Sequence, residues 1–159
     1  MQYGRYDRQR FRHSGEARAL AYVEERGHIL LRHNYHTRFC EIDLITAVPS
    51  EDFRLHAIEV KTWRSRPGFA EPFVHPLRSL NPRKQAKMRR AMESFRLHAA
   101  RNLDFRVGST EAAIDEPAWV LAQAGCVVGI DELDVSFDLL WLSGHDAENE
   151  TCEFFTDLF

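Results

Sequence analysis

Cysteine is scarce in this chain: there are 3, Cys40, Cys126 and Cys152, and no CxxC pair. Neither a disulfide framework nor a Cys-rich zinc site is expected, and a reducing, cytoplasmic compartment is the simplest reading. No HExxH or Cys/His spacing organises the 8 histidines, which read as surface or packing residues. No uncharged apolar run approaches the ~20 residues of a bilayer-spanning helix, so no membrane association is expected. The opening stretch MQYGRYDRQRFRH lacks the apolar core of a signal peptide. Beyond residue 110 the chain has no Lys or Arg at all.

What is present suits a folded domain. A chain of 159 residues with 44% hydrophobic and 28% charged residues is neither disordered nor collagen-like. Residues 1–13 read as an Arg-rich arm and residues 14–159 as a single domain. The net charge of -3 hides an asymmetry: all 21 Lys and Arg lie within residues 1–110, while half of the 24 Asp and Glu lie within 111–159. Such a basic body implies a polyanion partner, or else two halves that neutralise each other.

Hydrophobic patterning outlines the elements. Residues 14–27 predict a helix capped by Ser14, closed by Gly27, and buried through Ala17, Leu20 and Ala21. Residues 28–34, 39–48 and 53–63 predict three strands in a meander. Residues 64–80, with three prolines, predict a long irregular loop. Asn81 and Pro82 open the clearest helix, 82–100, with an apolar stripe of Met88, Ala91, Met92, Phe95 and Ala99. Its first-turn cations Arg83 and Lys84 oppose the helix dipole, which points to a nearby phosphate or carboxylate, or else to a solvated basic face. Within 111–132 a short helix over Ala118–Ala124, ended by Gly125, is predicted. Residues 133–142 predict a strand, and the apolar tail around Phe154, Phe155, Leu158 and Phe159 is expected to dock on the core.

One constellation carries chemistry. Glu41 and Asp43 share one face of their strand, as do Glu59 and Lys61 on the next. Asp43 and Glu59 sit among apolar residues, where a charge is costly unless paired or bound to metal, and mutual repulsion adds to that cost. A cross-strand ion pair would resolve it, and so would a divalent cation. Carboxylates are preferred ligands of Mg²⁺ or Mn²⁺, and such an ion activates water for attack on a phosphodiester, with a nearby lysine orienting that water. Glu41 is either a further site residue on the Asp43 face or a support paired with an arginine such as Arg38 or Arg54, and the support role is the preferred reading.

The ordered set Gly15-Glu16-Ala17, Glu41-Ile42-Asp43-Leu44-Ile45, Ile58-Glu59-Val60-Lys61-Thr62-Trp63 and Arg83-Lys84-Gln85, with the later Phe137-Asp138, resembles the YraN-type family of uncharacterised bacterial proteins. That family resembles archaeal Holliday junction resolvases. The resemblance implies an α/β, restriction-endonuclease-like fold with a central mixed sheet flanked by helices. It also implies a metal-dependent DNA endonuclease with Glu16, Asp43, Glu59 and Lys61 as catalytic residues. Asp43, Glu59 and the Val60 carbonyl would hold Mg²⁺ or Mn²⁺. Cys40 stands where the family usually has glycine, and Trp63 where an arginine commonly follows.

Arg83, Lys84, Gln85, Lys87 and Arg90 on the basic helix are candidate phosphate contacts, although Gln85 could equally serve the helix start. Trp63, Phe69 and Phe73 beside Arg64, Arg66 and Arg78 suit either base stacking or loop packing. A homodimer matches the two-fold symmetry of branched DNA, and nothing in the sequence demands one. The rival readings are a non-catalytic nucleic-acid-binding module and a protein-interaction subunit that docks through its acidic 111–159 region.

Overall fold

A computed structural model describes residues 14–48, 54–64, 75–101, 118–121, 126–129, 133–144 and 149–159. The expected arm 1–13 and most of the loop 64–80 lie outside these residues.

The first helix, α1, spans Ser14–Glu24. It ends in a Schellman arrangement: the His28 N–H donates to Val23 O (3.1 Å) and the Gly27 N–H to Glu24 O (2.9 Å). Gly27 takes φ 86, which costs a residue without Cβ little. The buried stripe of α1 is not the expected Ala17, Leu20 and Ala21. It is Glu16, Ala19, Leu20 and Val23, at i, i+3, i+4, i+7 spacing. Ala21 is exposed. An apolar template cannot place an acid in the stripe, so the sequence reading came out rotated.

Three strands follow, β1 (Ile29–His36), β2 (Glu41–Val48) and β3 (Arg54–Arg64), paired antiparallel as the predicted meander. The second helix, α2, spans Pro82–Arg101 after a short 3-10 turn at Pro76–Ser79. The strands β4 (Ala118–Leu121) and β5 (Cys126–Gly129) form a separate antiparallel pair. This overturns the helix predicted over Ala118–Ala124: Trp119 and Val120 are residue types that favour an extended, pleated chain. Next come β6 (Asp134–Gly144), parallel to β3, and β7 (Glu150–Phe155), antiparallel to β6. The main sheet therefore runs β1-β2-β3-β6-β7. Parallel neighbours need a crossover, and α2 lies in the connection between β3 and β6.

Successive residues of each strand face opposite sides. Leu30, Leu44, Ile58 and Leu140 pack with Ala19, Leu20 and Val23 of α1. Their neighbours Leu31, Ile45, Ala57 and Leu139 pack with Met88, Ala91, Met92 and Phe95 of α2. The result is an α/β domain with a five-stranded mixed sheet between two helices, the architecture expected of a restriction-endonuclease-like fold.

The tail docks as expected, and part of it is the unpredicted strand β7. Phe155, Leu158 and Phe159 lie against the α2-side core, and Phe159 stacks on Phe137 at 4.7 Å. Asp138, next to Phe137 in β6, is fully buried and accepts from Ser136 Oγ (2.5 Å), His56 Nδ1 (2.6 Å) and the Asp157 N–H (3.1 Å). This satisfied carboxylate ties β3, β6 and the tail together. Among the described residues no helix is long and apolar enough to cross a membrane.

Candidate functional site

The core thins toward the end of β3. Ala57 and Ile58 are fully buried, Glu59 is 5% exposed, and Thr62 is exposed. Glu59 is held by two lysines. Its Oε1 accepts from Lys61 Nζ at 2.7 Å, and its Oε2 lies 3.0 Å from Lys84 Nζ. The second contact is an ion pair too skewed for a hydrogen bond, so Oε2 is buried without a hydrogen-bond donor. Lys84 is brought there by the capped start of α2, where Asn81 Oδ1 accepts the Lys84 N–H at 2.9 Å. The anion that the first-turn cations imply is thus, within the chain itself, the Glu59 carboxylate.

Asp43 stands beside this pair. The ladder between β2 and β3 ends at Leu44↔Ile58, one residue short of Asp43 and Glu59. Its Oδ2 accepts the Val60 N–H at 2.7 Å. Burial, and then the Glu59 charge, push the Asp43 pKa from 3.8 up to about 6. Glu16 pushes the same way, while the Val60 N–H and Lys61 oppose it.

Glu16 arrives from the opposite helix. It is 6% exposed, and its Oε2 accepts from Asn34 Nδ2 at 3.1 Å. α1 can begin so close to β3 because residue 15 is glycine: a Cβ there would lie 2.3 Å from Thr62 Oγ1. The four residues expected at the site, Glu16, Asp43, Glu59 and Lys61, therefore meet in one electrostatic neighbourhood centred on Asp43.

No three His, Cys, Asp or Glu side chains among the described residues converge into a ready-made metal cage. A hard divalent ion needs less, since Mg²⁺ keeps several waters and takes one or two protein carboxylates. The donor set fits such an ion. Two crowded carboxylates repel each other, and one buried carboxylate oxygen has no hydrogen bond. Asp43, Glu59 and the Val60 carbonyl would hold the ion, and Lys61 and Lys84 now supply the countercharge on Glu59.

The remaining basic-helix candidates divide. Arg83 and Arg90 are exposed and Lys87 is half-buried. Gln85 donates its side-chain amide to Leu80 O (2.8 Å), serving the helix start, one of its two expected roles. Glu41 lies 2.9 Å from His36 Nε2 rather than beside the expected Arg38 or Arg54. Antiparallel register puts His36 opposite Glu41, and Arg54 pairs instead with Asp157 at 2.7 Å.

Asn34 was not foreseen at the site. It takes φ 48, a left-handed conformation that asparagine tolerates better than most residues. Its side chain holds Glu16, and its own Oδ1 is buried with no hydrogen-bond partner among the described residues. The only sequence signal was an asparagine inside an otherwise strand-like run.

Comparison with known proteins places the chain in a family. The model of the uncharacterised protein family UPF0102 matches residues 15–115. A UPF0102 protein of Bifidobacterium longum is 34% identical over 77 residues, 48% of this chain and 56% of that relative. One from Syntrophomonas wolfei is 34% identical over 77 residues, covering 48% of this chain and 60% of its own length. One from Leptospira interrogans is 34% identical over 92 residues, covering 58% and 70%. The chain thus spans just over half the length of the first two. The family match takes in α1 but for Ser14, β1 to β3 and all of α2, the elements that bear Glu16, Asp43, Glu59, Lys61 and Lys84, and the chain belongs to the uncharacterised protein family UPF0102.

Proposed function

We propose that this protein is a metal-dependent DNA endonuclease that hydrolyses phosphodiester bonds and selects DNA by structure, branched DNA included, rather than by base sequence. The observation that carries this reading is the buried Asp43 carboxylate on the Val60 N–H beside the Glu59–Lys61 pair, with Glu16 from α1 within electrostatic reach of Asp43. Two neighbouring carboxylates at the edge of a core are costly for stability, and an active site gives that cost a purpose.

Within this proposal a bound Mg²⁺ or Mn²⁺ supplies an acidified water and countercharge for the phosphoryl group. Asp43 and Glu59 present their oxygens to it with the Val60 carbonyl. The Lys61 side chain is 40% exposed and reaches both Glu59 and solvent, so it can orient water or meet the scissile phosphate. Glu16, steadied by Asn34, holds Asp43 in a field of negative charge that favours an incoming cation. Arg83, Lys84, Lys87 and Arg90, with Gln85 at the helix start, line the side from which a phosphate backbone would approach.

The test is cleavage of branched and single-stranded DNA in Mn²⁺, comparing the wild type with D43A/E59A. The proposal expects metal-dependent nicking that the double variant loses. Cleavage that survives in D43A/E59A at wild-type level would mark a contaminating nuclease and overturn it.

One observation favours a second reading, a nucleic-acid-binding or protein-interaction module without catalysis. Glu59 is already neutralised by Lys61 and Lys84, which suits a purely structural ion cluster. Salt-sensitive retention on DNA without nicking in any divalent metal would select the binding module. No retention at low salt would select the interaction module.

A further inference from the structure

A groove of about 720 Å³ lies away from the acid cluster, between the turn joining β1 to β2 and the second half of α2. Tyr35, Arg38, Phe39, Arg90, Glu93 and Leu97 are among the residues that line it. We propose that this groove is a stacking subsite for an unpaired nucleotide of single-stranded or branched DNA. The proposal rests on the nuclease reading for its purpose but not for its test.

The groove has the chemistry of base stacking. Phe39 is partly exposed, with the Arg38 guanidinium 4.9 Å and the Arg90 guanidinium 5.8 Å from its ring centroid. Aromatic rings and guanidinium planes are the surfaces on which unpaired bases stack. Arg38 and Arg90 are both exposed, so their charges are open to a phosphate backbone. The carboxylate of Glu93 is the opposing charge, which favours a strand running along the two arginines. Leu97, 52% exposed, extends the apolar wall.

The platform is rigid before anything binds. Thr37 Oγ1 accepts the N–H of Phe39 (3.0 Å) and of Cys40 (3.2 Å), and the Thr37 N–H donates to Cys40 O (3.0 Å). Tyr35 is fixed edge-on against buried Phe95 at 5.3 Å. Little ordering entropy remains to oppose stacking on such a turn.

The groove also connects to the acid cluster. Lys84, Lys87 and Arg90 fall three apart, in a row that winds around α2 and leaves Lys84 and Arg90 about 120° apart about its axis. Lys84 touches Glu59 at one end, and Arg90 and Leu97 line the groove at the other. At ~1.5 Å per residue, Lys84 and Arg90 are separated by about 9 Å along the axis. A strand stacked at Phe39 and running along α2 would head toward Lys84, which contacts Glu59. Ring and charge together favour this occupant: an apolar peptide would leave Arg38 and Arg90 unmatched, and an acidic protein segment would leave the Phe39 ring unused, whereas a nucleic acid strand satisfies ring and cations together.

The experiment measures binding of a labelled oligothymidine and of a blunt duplex to the full chain by fluorescence anisotropy, in EDTA so that cleavage plays no part. Phe39→Ala is expected to lower the ratio of single-strand to duplex affinity about tenfold, and Phe39→Trp to preserve it. R38A/R90A alters only exposed side chains, so it keeps the test alive if Phe39→Ala does not fold; it too should lose single-strand affinity. An unchanged ratio in folded Phe39→Ala overturns the subsite, as does a wild type with no affinity for single strands. A change in oligomeric state alone, read by light scattering, would give the groove to a second copy and also overturns it. Cleavage is read separately, in Mn²⁺. A subsite confirmed without cleavage leaves the stacking proposal standing and removes the nuclease. Cleavage with an unchanged ratio does the reverse.

Discussion

Replacing Asp43 by asparagine should make the protein more stable at neutral and alkaline pH. Burial and the neighbouring Glu59 raise the Asp43 pKa from 3.8 to about 6. The folded state therefore holds its proton where the unfolded chain has released it. In that window the folded state binds more protons, so this residue's contribution to stability falls as pH rises from ~4 through ~6 and then levels off. At ~1.36 kcal/mol per unit, the ionised carboxylate costs the fold about 3 kcal/mol above pH 7. Asparagine keeps an oxygen for the Val60 N–H and removes the charge. The gain expected for D43N is about 2–3 kcal/mol at pH 8 and close to nothing at pH 4. In urea, where slopes run ~1–3 kcal/mol per molar, that is a midpoint shift of about 1 M or more at pH 8. The difference between variant and wild type must be compared, because His28 acts in the opposite sense. Burial, then the charge of His56, lowers the His28 pKa to about 4, so its contribution is present above pH 6.5 and is lost as pH falls toward 4. A D43N gain that does not grow between pH 4 and pH 8, or a loss at pH 8, would refute the picture of a strained carboxylate.

Two further substitutions probe what surrounds that strain. Lys84→Met removes one of the two cations from a Glu59 side chain that is 7% exposed. It should cost about 1–3 kcal/mol in chemical denaturation, and a neutral result would mean that Lys61 alone suffices. Arg18→Ala breaks the two-point contact of its Nε (2.5 Å) and guanidinium NH2 (2.9 Å) with the Glu150 carboxylate, which ties α1 to β7. The expected loss is about 2 kcal/mol, and Arg18→Lys should recover only part of it, since a lysine cannot bridge both oxygens.

The framework of the fold was legible because it follows from periodicity and punctuation. Gly27 closes α1, Asn81 caps α2, and the meander of β1, β2 and β3 appears where alternating runs predicted it. Three features escaped. Trp119 and Val120 lay in a short apolar run that periodicity alone could not assign, and strand propensity prevailed there. β7 carries Glu150, Thr151 and Glu153 along an edge, a polar pattern that reads as a loop until β6 supplies its partner. The α1 stripe was misplaced because Glu16 occupies a position that an apolar template reserves for a hydrophobic residue.

The site was legible for the same reason that α1 was misread. Charged residues inside apolar strands stand out in a sequence, so Asp43, Glu59 and Lys61 could be singled out, while the part played by Asn34 depends on a backbone angle that no pattern announces. The contact of Lys84 with Glu59 joins residues from separate elements, and only the packing of α2 against the sheet reveals it.

The narrow approach of Gly15 to Thr62 makes two distant positions a single inherited unit. A methyl added at the helix start requires the hydroxyl opposite to turn away or be lost, so drift at either position is answerable to the other. In lineages that keep the acid at 16 in use, bulk should be traded between these two places rather than gained at both. A lineage that enlarged both would have to lift its first helix off the sheet and withdraw that acid from its neighbours.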